Sequence, residues 1–197
     1  MKYCSDCGSE VIISIPEGDN LPRHVCQTCG VIHYQNPKVV AGCIPELDGK
    51  ILLCKRAIEP RYGLWTLPAG FMENDETTAE AAAREAMEEA NAEIKISSLY
   101  TMFSLPHINQ VYVMYRGRLE NSDYRPGIES LELMLCAEKD IPWDSLAFPV
   151  VTETLRLYFK DYKNGSFPTY TGDIWKASRD TKEYKLKILD AGKENTG

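Results

Sequence analysis

A set of glutamates at fixed intervals constrains this chain more than any other feature. Residues 70–92 read G-F-M-E-N-D-E-T-T-A-E-A-A-A-R-E-A-M-E-E-A-N-A, a loop feeding a helix. Thr77 or Thr78 can cap the helix start, and Asp75 and Glu76 suit its positive end. At about 100° per residue, Ala79, Ala82, Ala83, Ala86, Met87 and Ala90 share one side. Glu85, Glu88 and Glu89 share the other, with Arg84 beside them. Residues three and four apart on a helix are neighbours, so three like charges crowd one patch at a cost in stability. Arg84 brings one positive charge. A hard divalent cation such as Mg²⁺ would bring more, because carboxylate oxygens are its preferred ligands. The alanine face is narrow and lets a neighbour approach closely. Taken by itself the cluster also fits a solvated acidic face.

The spacing separates these readings. Gly70, Glu76, Arg84, Glu85, Glu88 and Glu89 stand at the intervals of G-x5-E-x7-R-E-U-x-E-E-x-G-U, where U is bulky and aliphatic. The chain therefore resembles the Nudix hydrolases. It departs from the motif at Asn91, where the family has glycine, and at Ala86 and Ala92, where aliphatic residues are usual. Position 91 reads as a helix C-terminus that needs a left-handed residue, and asparagine ranks next to glycine there. Residues 63–71 also look like the strand and loop that lead into the family's catalytic helix.

Net charge is −7, which argues against sequence-independent nucleic-acid binding. It also opposes a phosphate-bearing substrate unless metal ions invert the local field. No apolar run approaches membrane-spanning length, and no hydrophobic stretch follows Lys2 as in a signal peptide. The cytoplasm is the expected location.

Cys4-x2-Cys7 and Cys26-x2-Cys29 each end in Cys-Gly, where glycine permits a tight knuckle around thiolates. The two pairs resemble a zinc ribbon with tetrahedral sulfur ligation. A disulfide framework competes, but the lack of a secretory signal and the isolated Cys43, Cys54 and Cys136 weigh against it. So short a segment needs the metal's binding energy to fold. His24 and His33 sit nearby as surface residues. The ribbon is either a structural or dimer-forming appendage or a nucleic-acid finger. Its few basic residues favour the former.

The expected organisation is a zinc ribbon over 1–34, a Nudix domain over 35–165 and a C-terminal extension over 166–197. Strands are expected at 38–45, 51–56, 93–104, 110–119 and 131–136, with 110–119 central and Asp48-Gly49 as a hairpin turn. A helical segment is expected to begin near Asp140 with proline in its first turn, and an amphipathic helix at 151–162. Residues 184–189 read as an edge strand or short helix, residues 191–197 as disordered, and the extension carries no assigned chemistry. The resemblance implies an α/β fold, an α/β/α sandwich with a mixed sheet.

It also implies metal-dependent hydrolysis of the pyrophosphate bond of a nucleoside diphosphate derivative, FAD or ADP-ribose foremost. NADH, nucleoside triphosphates and capped RNA are the alternatives, and a non-catalytic nucleotide or nucleic-acid sensor is the alternative of another class. Glu85, Glu88 and Glu89, with the Gly70 carbonyl, would hold Mg²⁺ or Mn²⁺. Arg84 would orient the glutamates by bidentate pairing, and Glu76 would brace the loop. The general base is Glu129, Glu132 or a helix glutamate, with His107 a further candidate. Glu132 is preferred outside the helix because it directly precedes an apolar strand. Arg56, Arg61 and Tyr62 are candidate substrate contacts, and Tyr112, Phe103 and Trp65 candidate stacking rings. The partner is a small nucleotide; a homodimer is also expected from the family.

Overall fold

The computed structural model describes residues 1–176 and 183–191. They form two compact units, 1–37 and the remainder from Lys38 onward.

In the first unit, β1 (Val11–Ser14), β2 (Arg23–Cys26) and β3 (Ile32–His33) form an antiparallel sheet in that order. The sheet brings the two cysteine pairs together. Gly8 (φ 74°) and Gly30 (φ 77°) take left-handed backbone, and their amides bond back to the Cys4 and Cys26 carbonyls. The four sulfurs all lie within 4.8 Å of one another. Cys4–Cys29 and Cys7–Cys26 are 3.6 and 3.4 Å apart, near the roughly 3.8 Å edge of a tetrahedron of Zn–S bonds. These are the distances of a zinc cage and exceed a disulfide bond. Hydrogen bonds from Ser9 hold the Cys7 thiol down at about 6, while, against the Val31 amide, the neighbouring Cys26 and Cys7 thiols push Cys29 up to about 12. The His33 Nε2 lies 3.3 Å from the Cys4 sulfur, beside the four ligands.

The second unit is a mixed nine-stranded sheet. Its strands are β4 (Lys38–Leu47), β5 (Lys50–Arg56), β6 (Trp65–Thr66), β7 (Ala69–Phe71), β8 (Ile94–Leu105), β9 (Gln110–Leu119), β10 (Ser130–Cys136), β11 (Tyr170–Lys176) and β12 (Tyr184–Ala191). The main path runs β10-β5-β4-β9-β8-β11-β12, which leaves β9 in the middle. β4 runs parallel to β9 and β11 parallel to β8. Asp48 and Gly49, both at positive φ, close the β4–β5 hairpin. That hairpin pairs only at its closed end. Further along, β5 pairs with β6 and β4 with β7. The inserted segment thus carries Gly70 next to Ala41 at the sheet centre.

Two helices cover opposite faces. α1 (Thr78–Ala90) lays Ala82, Ala86 and Ala90 on Cys43, Leu52 and Cys54. α2 (Pro149–Asn164) packs Val151, Leu155, Tyr158 and Phe159 with Ile44, Leu53, Tyr100 and Met114. Strand alternation divides the sheet residues between the layers, Ile51 and Leu53 to one side, Leu52 and Cys54 to the other. The result is an α/β/α sandwich. Cys43, Cys54 and Cys136 are buried apolar groups, as their settings suggested. No continuous helix begins at Asp140. Residues 138–140 and 143–145 are short 3₁₀ turns, and Pro149 starts α2.

The residues set apart as an extension join this same sheet through β11 and β12. Tyr170 and Ile174 are buried in the core, and a polar anchor adds to this: buried Asp161 on α2 accepts hydrogen bonds from the Tyr170 hydroxyl at 3.0 Å and the Tyr100 hydroxyl at 2.8 Å. Of residues 191–197, expected to be disordered, Ala191 ends β12 and pairs with Tyr170, and 192–197 lie outside the described residues.

Two outcomes follow. Asp161→Ala leaves two buried hydroxyls without their acceptor and costs about 3 kcal/mol, a fall of roughly 6–12 °C in Tm by calorimetry. Cys26→Ser abolishes the zinc found by elemental analysis in freshly purified protein, and makes residues 1–37 sensitive to protease.

Candidate active site

The site begins with the loop that enters α1. Thr77 caps the helix, its hydroxyl accepting from the Glu80 amide while the Glu80 carboxylate accepts from the Thr77 amide. This sets the rotation of the helix, and rotation decides where the acids point. Glu85 and Glu89 are buried, at 8% and 6% exposure, whereas the Glu88 side chain is 60% exposed. The acidic patch is therefore split between a buried pair and a rim residue. Met87, grouped with the alanines by helical angle, is 45% exposed and stands at the cavity wall instead.

Arg84 organises the group. Its guanidinium donates to Glu76 through Nε at 2.9 Å and Nη2 at 2.8 Å, to Glu85 at 2.8 Å, to Glu88 at 3.2 Å and to the Phe71 carbonyl at 3.2 Å. Such charge-assisted, bidentate bonds fix planes as well as distances. Glu76 in turn accepts from the Glu73 amide at 2.6 Å. Arg84, with help from that amide, holds the Glu76 carboxyl down at about 2. Glu76 thus braces the loop.

Gly70 has a steric reason. A Cβ there would collide with the Glu85 carboxylate, so only glycine lets the acid lie against the β7 backbone.

Glu89 is the outlier. Burial, with Glu85 and Glu129 adding repulsion, raises its carboxyl to about 8 despite the opposing Arg56 charge. Its Oε2 is buried with no hydrogen-bond partner among the described residues. Burial also raises the Glu85 carboxyl, against the pull of Arg84. Buried acids with an orphaned oxygen fit a divalent cation, which would supply the missing partner and offset the repulsion.

These groups line one side of a cavity of about 1430 Å³. Arg56, Arg61, Gly70, Arg84, Glu85, Glu88, Glu89 and Tyr112 all face it. Arg56 is held by its Nε bond to the Pro60 carbonyl at 2.9 Å and by the Phe148 ring 5.2 Å beneath its guanidinium. Arg61 sits at φ 73°, an uncommon backbone for arginine, at the cavity edge.

Other candidates fall elsewhere. Tyr62 is 57% exposed and is not part of the cavity wall. Phe103 and Trp65 belong to the core. Glu132 pairs across the strands with Lys55, its carboxylate 3.2 Å from the ammonium, and does not line the cavity. Glu129, three residues earlier, does. The cause is strand geometry: Glu132 lies inside β10, where pairing with β5 fixes its direction, whereas Glu129 precedes the strand. His107 also lines the cavity, 5.7 Å from the ring of Tyr184. Phe148, Lys176 and Tyr184 line the cavity as well, and no local motif marks them.

Residues 36–145 match the family described as NUDIX domain, and residues 2–35 that described as Nudix N-terminal. A crystal structure of a NUDIX hydrolase from Nitrosomonas europaea superposes with a TM-score of 0.87 at 56% identity, covering 89% of this chain and 100% of that one. An ADP-ribose pyrophosphatase of Methanocaldococcus jannaschii is 44% identical over 73 residues, 37% of this chain and 43% of that protein. A NAD-capped RNA hydrolase, NudC, of Photorhabdus laumondii is 37% identical over 107 residues, 53% of this chain and 38% of that protein. The chain thus spans less than half the length of these two curated relatives. Fold, glutamate geometry and family match agree, and the chain belongs to the Nudix hydrolases, with a zinc ribbon ahead of the catalytic domain.

Proposed function

We propose that this chain hydrolyses the pyrophosphate bond of a nucleoside diphosphate derivative, ADP-ribose or FAD foremost, with Mg²⁺ or Mn²⁺ as its catalytic metal. One observation carries the reading: Glu85, Glu88, Glu89 and Glu129 meet Arg56 and Arg61 in a single cavity of about 1430 Å³, large enough for a dinucleotide-sized ligand. The named activity of the Methanocaldococcus jannaschii relative points the same way.

Glu85, Glu88 and Glu89 would hold the metal, with the Gly70 carbonyl beside them. A divalent cation held there would neutralise phosphate charge and lower the pKa of an attacking water. The remaining work falls to the protein. Arg84 fixes the planes of Glu85 and Glu88 and is fully occupied in doing so. Arg56, pre-set by Pro60 and Phe148, presents a cation to the diphosphate without having to reorganise. Glu129, which lines the cavity with the helix glutamates, would take a proton from water. Tyr112, Phe148 and Tyr184 offer rings for a base or flavin.

The relative named as a NAD-capped RNA hydrolase supports a second reading, attack on the same linkage in a capped RNA. A panel of ADP-ribose, FAD, NADH, ATP and NAD-capped RNA, each with Mg²⁺ and with Mn²⁺, separates the readings by kcat/KM. ADP-ribose or FAD is expected to lead, and the absence of turnover on every member would sink the enzymatic assignment. Glu89→Gln is expected to lower kcat by at least about 100-fold with the fold intact by circular dichroism. Glu129→Gln is expected to lower kcat by about 10²-fold or more, while Glu132→Gln stays within about twofold of the parent, as suits an exposed residue outside the cavity. The opposite ranking of Glu129 and Glu132 would return the base to the strand.

A further inference from the structure

Asn91 stands where the family motif has glycine, and the fold shows what the substitution adds. Its backbone is left-handed at φ 46° and ψ 34°, and its amide closes the end of α1 onto the Ala86 and Met87 carbonyls. Glycine would serve that purpose equally well. The side chain does something glycine cannot. Its Nδ2 donates to the Arg125 carbonyl at 3.0 Å and lies 3.4 Å from the Pro126 carbonyl. Two carbonyls facing one side chain demand a donor, which fixes the orientation of the amide.

Residues 125–129 depend on such bonds. The Arg125 amide donates to the Ala90 carbonyl at 2.9 Å, and the Gly127 amide to the Glu89 carbonyl at 2.9 Å. Gly127 approaches the Glu88 carbonyl so closely that no Cβ could fit. On the far side, the Ala57 amide donates to the Glu129 carbonyl at 2.8 Å. Between these anchors Ile128 is 97% exposed, so the tip is held by polar bonds and not by apolar burial. The segment ends in Glu129, which lines the cavity with Glu85 and Glu89.

We propose that Asn91 is a positioning residue whose side chain ties residues 125–129 to the end of α1 and so fixes Glu129 against the helix glutamates. This rests on the role given to Glu129 above, and the test separates the two. Asn91→Gly keeps the left-handed cap and removes the tether. Asn91→Asp keeps the size but turns an acceptor toward two carbonyls.

Three readouts decide the matter. Tm of Asn91→Gly is expected within about 3 °C of the parent, since the cap survives. Amide hydrogen exchange at Arg125 and Gly127 is expected to speed up by about tenfold or more, with exchange in the α1 interior unchanged. With ADP-ribose, kcat is expected to fall by about tenfold at nearly constant KM, and further in Asn91→Asp. Because the effect runs through Glu129, Asn91→Gly is expected to add less than about twofold in a Glu129→Gln background. Unchanged exchange in Asn91→Gly would overturn the tether whatever the kinetics. Faster exchange with full, multiplicative loss in the Glu129→Gln background would overturn the route through Glu129. A Glu129→Gln enzyme as active as the parent would instead remove the role of Glu129, leaving the tether to be judged by exchange.

Discussion

Burying carboxylates beside one another is the constraint on which this molecule turns. Glu85 and Glu89 sit on the helix that packs against the sheet centre, and burial penalises their ionised forms. Much of the surrounding structure compensates for that placement. Arg84 spreads one guanidinium over Glu76, Glu85 and Glu88. Gly70 gives up a side chain so that Glu85 can lie against backbone. Arg56 offers a positive charge to Glu89 without bonding to it. What stays uncompensated is the Glu89 Oε2, an unsatisfied atom that suits a metal ligand. A core built only for stability would have an apolar residue there.

Alanine forms the contact between α1 and the sheet. Ala82, Ala86 and Ala90 are fully buried against Cys43, Leu52 and Cys54. Ala86 and Ala92, where the family usually has larger residues, are both fully buried in this layer. Here the contact is close enough for the Cys43 sulfur to lie 3.8 Å from the Ala82 carbonyl. The helix therefore brings its glutamates down to the level of β7, where Gly70 waits for them.

What could be read from sequence divides along physical lines. The helix, its cap, the cysteine cage and the Asp48-Gly49 turn were legible because each is decided within a few residues by spacing, capping or glycine. The grouping of Glu85, Glu88 and Glu89 was legible for the same reason, but not their division into buried and exposed, which depends on what the helix packs against. Glu129 and Glu132 lie three residues apart, each beside apolar residues, and only the pairing of β10 with β5 assigns one to the cavity and the other to Lys55. Tyr62 lies beside Arg61, yet Arg61 alone faces the cavity. The last strands were hardest. β11 buries Tyr170, Gly172 and Ile174 at alternate positions, a pattern too short and too sparse in apolar residues to stand out. Its place depends on a parallel pairing with β8, about 70 residues earlier in the chain.

That long-range pairing sets an order of assembly. A ribosome releases the acidic helix, its cap and the arginine that binds the acids well before it makes Lys176 and Tyr184. The carboxylate floor can form while the cavity still lacks the wall that these late residues complete beside His107. A nascent chain halted near Gly165 would hold the charged end of the site but be open on that side. The acidic end of the cavity is thus encoded early and compactly, and the enclosure around it is finished only when β11 and β12 join the sheet.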